Sequence, residues 1–386
     1  MLNKYKIIFQ KLISSKINGN QNITNNTIIP IVVLVCNRVD ALKHLITKLL
    51  KLRPDLTTFP IYISQDCDNE VIWTFIRNHF MNNVTYIKHK SPLKKKIQVP
   101  LNFVKYKNYY YISRHYKLIL SHMFDYLNYK TVVLLEDDLD ISIDFFSYFK
   151  ATYHQLLKKD KSLYCISAWN DNGFEELIDQ QNPMTLYRTD FFPGLGWMLT
   201  NDLWKELSPK WPKGFWDDWI RKPEYRKNRT CIRPEISRTS MTNFGKTGAS
   251  NGYLYDNFLS RIKLNSIPVN FDNIDLSYLS EKKYEKYYMR IVYDYSQKVS
   301  FFNLRKIIQK PVKKKNNFLR IEYITLEEFE KIAHYLSIMN DFKEGIPRTA
   351  YKGIITIFKN GWRIFVAPNR KKWNGYNNKW EFDPTV

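Results

Sequence analysis

Short apolar rows alternate with helically spaced stretches over the first 140 or so residues. Ile31 to Val35 is continuously apolar, and from Val39 to Leu52 apolar side chains recur every three to four positions. Ile61 to Ser64 precedes a helical pattern from Asn69 to Phe80, and a third such pattern, Tyr109 to Tyr126, leads into the row Thr131 to Leu135. Rows of four to six residues with no polar face are strands buried on both sides. Their alternation with helices predicts an α/β unit with a mainly parallel sheet.

The C-terminal pattern is different. Leu326 to Ile338 is amphipathic, and Ile354 to Phe358 joins Trp362 to Val366 through Lys359-Asn360-Gly361, where Asn-Gly supplies the positive φ of a two-residue hairpin. This predicts a small α+β domain. The stretch between, rich in Gly, Asn and Ser at its start, is expected to be a mobile loop and linker. The expected organisation is a tail over 1–28, a first domain over 29–245, a loop and linker over 246–281 and a small domain over 282–386. No row approaches the 18 or so apolar residues of a membrane span, so a soluble chain is expected. The apolar start is broken by Lys4, Lys6 and Lys11 and reads as a tail rather than a signal segment.

Composition adds three constraints. In 386 residues, 44% are hydrophobic and 16% aromatic, which excludes a disordered chain. Lys and Arg outnumber Asp and Glu by 60 to 37, and that field favours phosphate-bearing partners without choosing among them. The basic runs Lys94 to Lys96 and Lys313 to Lys315 lack the aromatic interleaving of a single-strand channel and read as solvated loops; with no recognisable module, a nucleic-acid partner is not expected. Four cysteines without a CxxC exclude a zinc knuckle. Reach allows Cys36–Cys67 and Cys165–Cys231, but four buried thiols fit the pattern equally well.

Open α/β sheets bind ligands beyond the carboxyl ends of their strands. Those ends are polar here: Cys36-Asn37-Arg38, Gln65-Asp66-Cys67 and Glu136-Asp137-Asp138. Three consecutive acids after a buried strand repel one another unless a cation or donors compensate them. A divalent ion that suits carboxylate and phosphate oxygens is one solution, and a solvated acidic turn capping the next helix is the other. A second acidic pair, Asp217-Asp218, lies among Trp211, Trp216 and Trp219, whose indoles could wall a carboxylate or simply pack as core. Pro193-Gly194-Leu195-Gly196-Trp197 permits close backbone approach to a ligand, while the absence of GxGxxG and Walker A sequences disfavours dinucleotide and P-loop chemistry.

Taken in order, the strings Cys36-Asn-Arg38, Ser64-Gln-Asp-Cys67, Ser113-Arg-His-Tyr116, Glu136-Asp-Asp138, Ser167-Ala-Trp-Asn-Asp-Asn-Gly173, Tyr187 to Trp197, Phe215 to Trp219 and Cys231 to Thr239 resemble the N-acetylglucosaminyltransferase I family over about residues 29 to 380. The resemblance implies a GT-A type nucleotide-sugar-binding domain with a smaller domain beside it, UDP-GlcNAc as donor, Mn2+ as cofactor and an inverting transfer to a mannose-containing glycoprotein glycan. Asp138 matches the metal-binding acid, Asp137 a ribose contact and Glu136 a residue near the donor sugar. Arg38, Asp66 and His115 match uridine-binding positions, Leu195, Trp216 and Ser250 belong with the donor-binding set, and Asp217 matches the catalytic base. The resemblance also implies the disulfides Cys36–Cys67 and Cys165–Cys231 and a Golgi-lumen location, although this chain lacks the family's usual membrane helix, which leaves the cytoplasm or another compartment open. Alternatives are β-1,2 transfer to O-linked mannose or another mannose-containing acceptor, and a non-catalytic nucleotide-sugar or glycan-binding protein.

Overall fold

The computed structural model describes residues 27–67, 69–89, 97–248, 252–310, 312 and 317–377. Ser250 and the basic runs at 94–96 and 313–315 lie outside them. Strands β1 (Ile31–Val35), β2 (Ile61–Gln65), β3 (Thr85–Lys88) and β4 (Thr131–Glu136) lie parallel in the order β3-β2-β1-β4, so that Ile31 faces both Ile61 and Val133. Helices α1 (Val39–Leu52), α2 (Glu70–His79) and α3 (Lys107–Ser121) provide the crossovers. Helix α1 buries Ala41, Leu42, Leu45, Ile46 and Leu49, the stripe its sequence spacing requires. Helix α2 starts where the Asn69 side chain accepts from the Val71 N–H.

Beyond β4 the sheet turns mixed. Strands β5 (Leu139–Ile141), β6 (Leu163–Ser167), β7 (Leu186–Thr189), β8 (Trp197–Thr200), β9 (Thr230–Pro234) and β10 (Thr239–Met241) follow in sequence. The eight-stranded sheet reads β3-β2-β1-β4-β8-β6-β9-β7, with β8 antiparallel to both β4 and β6. Strands β5 and β10 form a separate antiparallel pair just past the acidic end of β4. Both disulfides are present: Cys36–Cys67 ties the ends of β1 and β2, and Cys165–Cys231 joins direct partners on β6 and β9. The pairing that spacing left open is thus closed.

After helix α4 (Trp216–Arg221), the chain reaches a four-stranded sheet with β11 (Gln297–Lys298), β12 (Asn317–Tyr323), β15 (Ile355–Lys359) and β16 (Trp362–Pro368), and a short ribbon of β13 (Phe342–Lys343) and β14 (Ile346–Pro347). Helix α5 (Leu326–Leu336) packs on this sheet through Phe329, Ile332, Ala333 and Leu336. Asn360 and Gly361, at φ 51° and 82°, turn β15 into β16 in the expected hairpin.

The two sheets share buried clusters. Tyr284, Tyr288, Tyr351 and Phe365 pack in the same core as Val33, Leu135 and Ile166, while Trp169 and Phe191 pack with Leu319 and Ile357. Part of the stretch expected to link the sheets is packed as well: Phe271, Leu276 and Leu279 are buried, and the Gln155 side chain bonds the Ile274 carbonyl and the Leu276 N–H, both at 2.9 Å. Among the described residues no helix is long and apolar enough to cross a membrane.

The Cys165–Cys231 bond spans 66 positions of sequence, and closing a loop of that length restricts the unfolded chain by about 4 kcal/mol in the chain-entropy estimate. Replacing both residues by Ser is expected to lower the unfolding free energy by roughly 2–4 kcal/mol, read as a lower urea midpoint, with a somewhat steeper slope because the unfolded chain is no longer cross-linked. A midpoint equal to that of the parent would mean that the cross-link adds nothing to stability.

Candidate active site

The acidic run stands where a strand buried on both faces ends. Thr131 to Leu135 are fully buried, Asp137 and Asp138 are nearly so, and Glu136 is half-buried. Arg38, one turn beyond β1, compensates them. Its guanidinium pairs with both oxygens of Asp137, reaches Asp138 Oδ2 at 3.0 Å and donates from Nη1 to the Phe244 carbonyl at 3.0 Å. Burial alone would lower the Arg38 pKa, but the two carboxylates outweigh it and raise it. Burial pushes the Asp137 carboxyl up to about 6 against the pull of Arg38. Glu136 rises to about 7 through burial and the charge of Asp138, with Tyr116 donating to it at 2.9 Å. Asp138 Oδ1 is buried and has no hydrogen-bond partner. A solvated helix cap, the plainer of the two sequence readings, would leave no such atom.

Backbone contacts hold this end of the strand. Thr242 donates to the Asp138 carbonyl from its N–H at 2.8 Å and from its hydroxyl at 2.7 Å. Leu195 lies at φ 47° between Gly194 and Gly196, and its carbonyl accepts from Thr239 Oγ1 at 2.6 Å. A Cβ on Gly196 would stand 2.6 Å from Thr239 Cγ2 at a φ of 91°, so glycine is required for that approach.

A second group gathers at the end of β2. Asp66 accepts from Arg114 Nε at 2.8 Å, and Ser64 Oγ lies 2.8 Å from His115 Nε2 and 3.0 Å from His89 Nε2. One hydroxyl serves two imidazoles, which suits neutral rings that can each accept or donate. Burial first, then His89 and Arg114, lowers His115 to about 3; burial, His122 and Arg114 lower His89 to about 4.

The three indoles near Asp217 are core. Trp211, Trp216 and Trp219 are buried, and Trp216 lies between Trp197 and Trp211 at centroid distances of 5.5 and 5.8 Å. They wall no open carboxylate. Trp216 instead bridges the two acidic groups, since it contacts Tyr116 at 4.2 Å and Tyr116 bonds Glu136. Asp217 and Asp218 lie at the surface end of α4, both held by Arg221 Nη1, at 3.1 and 2.7 Å. Burial would raise Asp218, but Arg221 and Lys343 hold it below the usual carboxylate range.

Arg38, Asp66, His115, Glu136, Asp137 and Asp138 therefore line the carboxyl ends of β1, β2 and β4, with Leu195 and Trp216 behind them. Ser250 lies outside the described residues. Sequence reasoning passed over Tyr116 and Arg114, which sit in the same string as His115, and over a buried network behind Asp217. There, Arg348 joins Asp171 at 2.7 Å and Asp341 at 2.7 Å, and its guanidinium packs on Phe191 at 5.1 Å, as Arg221 does at 4.8 Å. Only the odd burial of an acid in Ser167 to Gly173 could have flagged Asp171.

The GNT-I family profile matches residues 2–380. A relative from Arabidopsis thaliana, named alpha-1,3-mannosyl-glycoprotein 2-beta-N-acetylglucosaminyltransferase, is 39% identical over 326 residues, which make up 84% of this chain and 70% of the relative. Among solved structures, the mannosyltransferase PcManGT from Pyrobaculum calidifontis, in complex with GDP-Man and Mn2+, matches with a TM-score of 0.35 at 10% identity, covering 60% of this chain and 63% of that one. S. aureus TarS 1-349 in complex with UDP-GlcNAc gives 0.37 at 10% identity, covering 56% and 59%. The chain thus spans less than two thirds of either structure, a likeness too distant to inform the site.

A neutral buried His115 is favourable to folding above its unfolded pKa of about 6.5, and that contribution is lost as pH falls from there toward the folded value. Unfolding free energy is therefore expected to drop below pH 6.5 by up to about 1.4 kcal/mol per pH unit from this ring. Urea titrations at pH 7, 6 and 5 should show a shallower acid slope in His115→Asn. Parallel slopes in the two proteins would show that the ring does not titrate as described.

Proposed function

The chain belongs to the GNT-I family, and from that premise we propose that it is an inverting glycosyltransferase, moving GlcNAc from UDP-GlcNAc to O2 of a terminal α-1,3-linked mannose of an N-glycan in β-1,2 linkage. The supporting observation is the acidic end of β4, where Asp138 keeps a buried oxygen without a hydrogen bond and where Tyr116, bonded to Glu136, packs on Trp216 of the helix bearing Asp217.

The residues fit Mn2+. Asp138 Oδ1 is a hard oxygen donor left without a hydrogen bond, and among the described residues no cluster of three or more His, Cys, Asp or Glu could hold an ion unaided. The protein would supply one carboxylate, leaving the other positions to diphosphate oxygens and water. A cation held by Asp138 would supply positive charge to offset the negative charge developing on the departing diphosphate. Arg38 sits against the same acids and adds a second positive charge. Asp66, Arg114 and the His115–Ser64 pair supply acceptors and donors for a uracil.

Inversion requires one carboxylate opposite the leaving group to take the proton of the acceptor hydroxyl as the sugar carbon is attacked. Asp217 suits that role: it projects from the start of α4, its carboxylate is 40% exposed, and Arg221 fixes its orientation. Asp218 shares that cation and meets Lys343 at 3.6 Å, a pairing that keeps it ionised and occupied.

Asp138→Ala is expected to abolish Mn2+-dependent UDP binding in titration calorimetry while the melting temperature stays near that of the parent, because Asp137 still holds Arg38. Metal-independent UDP binding in the parent would defeat this assignment. Asp217→Asn should bind UDP-GlcNAc normally and transfer it about 10²–10⁴-fold more slowly. Near-parent turnover in that variant would move the base elsewhere.

A further inference from the structure

Phe215 precedes α4 at φ 52°, in the left-handed region that bulky side chains rarely occupy. Four rings hold it there. Tyr109 stacks on it at 5.0 Å and 15°, while Phe103, Tyr110 and Tyr106 meet it at 5.6, 5.9 and 6.1 Å. Gly214 makes the approach possible, since a Cβ would fall 2.9 Å from the Tyr110 ring.

Tyr110 is buried and Tyr109 and Phe215 are half-buried, while the outer rings stand open. Phe103 is 36% exposed and Tyr106 47%, with Leu101 at 93% and Val104 at 52% beside them on the 3-10 turn Leu101–Tyr106 that leads into α3. An apolar patch that leaves large side chains in water marks a binding surface more often than chance. Its inner edge meets the acids: after burial, the charges of Asp217 and Asp218 are what raise the Tyr109 hydroxyl, and Phe215 is two residues from Asp217.

We propose that the aromatic surface formed by residues 101–111 and Phe215 is the subsite for the acceptor oligosaccharide beyond the reacting sugar. The inference rests on the glycosyl-transfer reading above. A pyranose ring presents a face of C–H groups that packs on the negative face of an aromatic ring, and its rim hydroxyls remain solvated or bond to nearby carboxylates. A chain of neutral sugars therefore suits a surface with exposed rings at one end and Asp217 and Asp218 at the other. A nucleotide suits it less, because its phosphates would face the carboxylates of Asp217 and Asp218 at the inner edge, even with Arg114 5.5 Å from the Tyr111 ring and Lys105 and Lys107 exposed on the same stretch. As an acceptor hydroxyl comes within reach of Asp217, the remaining sugars of a branched glycan must extend across some adjoining surface, and this one adjoins Asp217.

The test compares Phe103→Ala, Tyr106→Ala and the double variant with the parent, using a branched oligomannose acceptor and a simple α-mannoside. The double variant is expected to raise KM for the branched acceptor by about tenfold or more, while KM for the mannoside and UDP binding stay near parental values and the melting temperature falls slightly with the loss of two rings against Phe215. Equal KM changes for both acceptors, or none, would overturn the subsite. Because folding could suffer, Leu101→Asp, at a nearly fully exposed position, serves as a second probe and should act in the same direction. Calorimetric titration of the UDP-loaded proteins with the branched glycan reads the surface without turnover. Parent protein that binds this glycan through Phe103 and Tyr106 but transfers to neither acceptor would refute the transferase reading and keep the surface. If the variants instead lose binding to vesicles of phosphatidylcholine and phosphatidylserine, with KM unchanged, the surface serves a membrane and the proposal fails.

Discussion

Glu136, Asp137 and Asp138 leave the sheet together at the end of a strand that water touches on neither face, so their charges must be met by groups from elsewhere in the chain. Two like charges about 4 Å apart repel by roughly 4 kcal/mol even at the effective dielectric of a protein surface, and burial adds to that cost. The compensation comes from three directions: Arg38 from the end of β1, Tyr116 from α3 and, in the proposed complex, a cation at Asp138, while Thr242 from beyond β10 holds the Asp138 backbone carbonyl. Each of these elements is thereby pinned to one point. The same side chains that make the acids tolerable also connect them outward, since Tyr116 leads through Trp216 to Asp217 and Arg38 leads through the Phe244 carbonyl to the segment before Ser250.

Legibility in the sequence followed the range of the interactions. Strand β1, helix α1 and the Asn360-Gly361 hairpin depend on neighbours a few residues away, and their patterns announced them. The acids at the end of β4 were legible because a buried row fixes where a sheet must stop. The tryptophans were ambiguous because an indole in a short helix can face solvent or core, and only the stacking of Trp197, Trp211 and Trp216 from three separate segments decides it. Arg221 and Arg348 were invisible for a related reason. Arg348 lies 177 positions from Asp171, and nothing local to either shows that Phe191 will bring both guanidinium groups to one ring. The packing of the stretch from Asn265 to Leu279 was not legible, since composition suggests solvation while its polar residues bond to other segments, as Asn265 does to Asp144 at 3.0 Å, and Phe271, Leu276 and Leu279 are buried.

The two aromatic groups near α4 carry opposite burdens. The indoles are enclosed and give the helix a rigid seat, whereas the rings around Phe215 keep their outer faces in water. A strained residue needs surroundings that over-determine it, and the four rings around Phe215 supply them without closing the surface. Rigidity beneath Asp217 and accessibility beside it are thus separated into neighbouring layers of the same few turns.

The shared cores carry a consequence for how the chain is made. Tyr351, Phe365 and Ala367 complete the cluster that begins with Ile29, and β16 is the central partner for both β12 and β15. A nascent chain emerging from the ribosome can lay down β1 to β4 early, but the hydrophobic surface around them stays open until β16, which begins at Trp362 whereas β4 ends at Glu136, has been synthesised. Contacts of such long sequence separation form slowly and leave sticky intermediates in the meantime. A premature stop anywhere before β16 would therefore release a chain whose oldest strands are unfinished, and quality control would meet it as an unfolded protein rather than as an enzyme lacking an appendage.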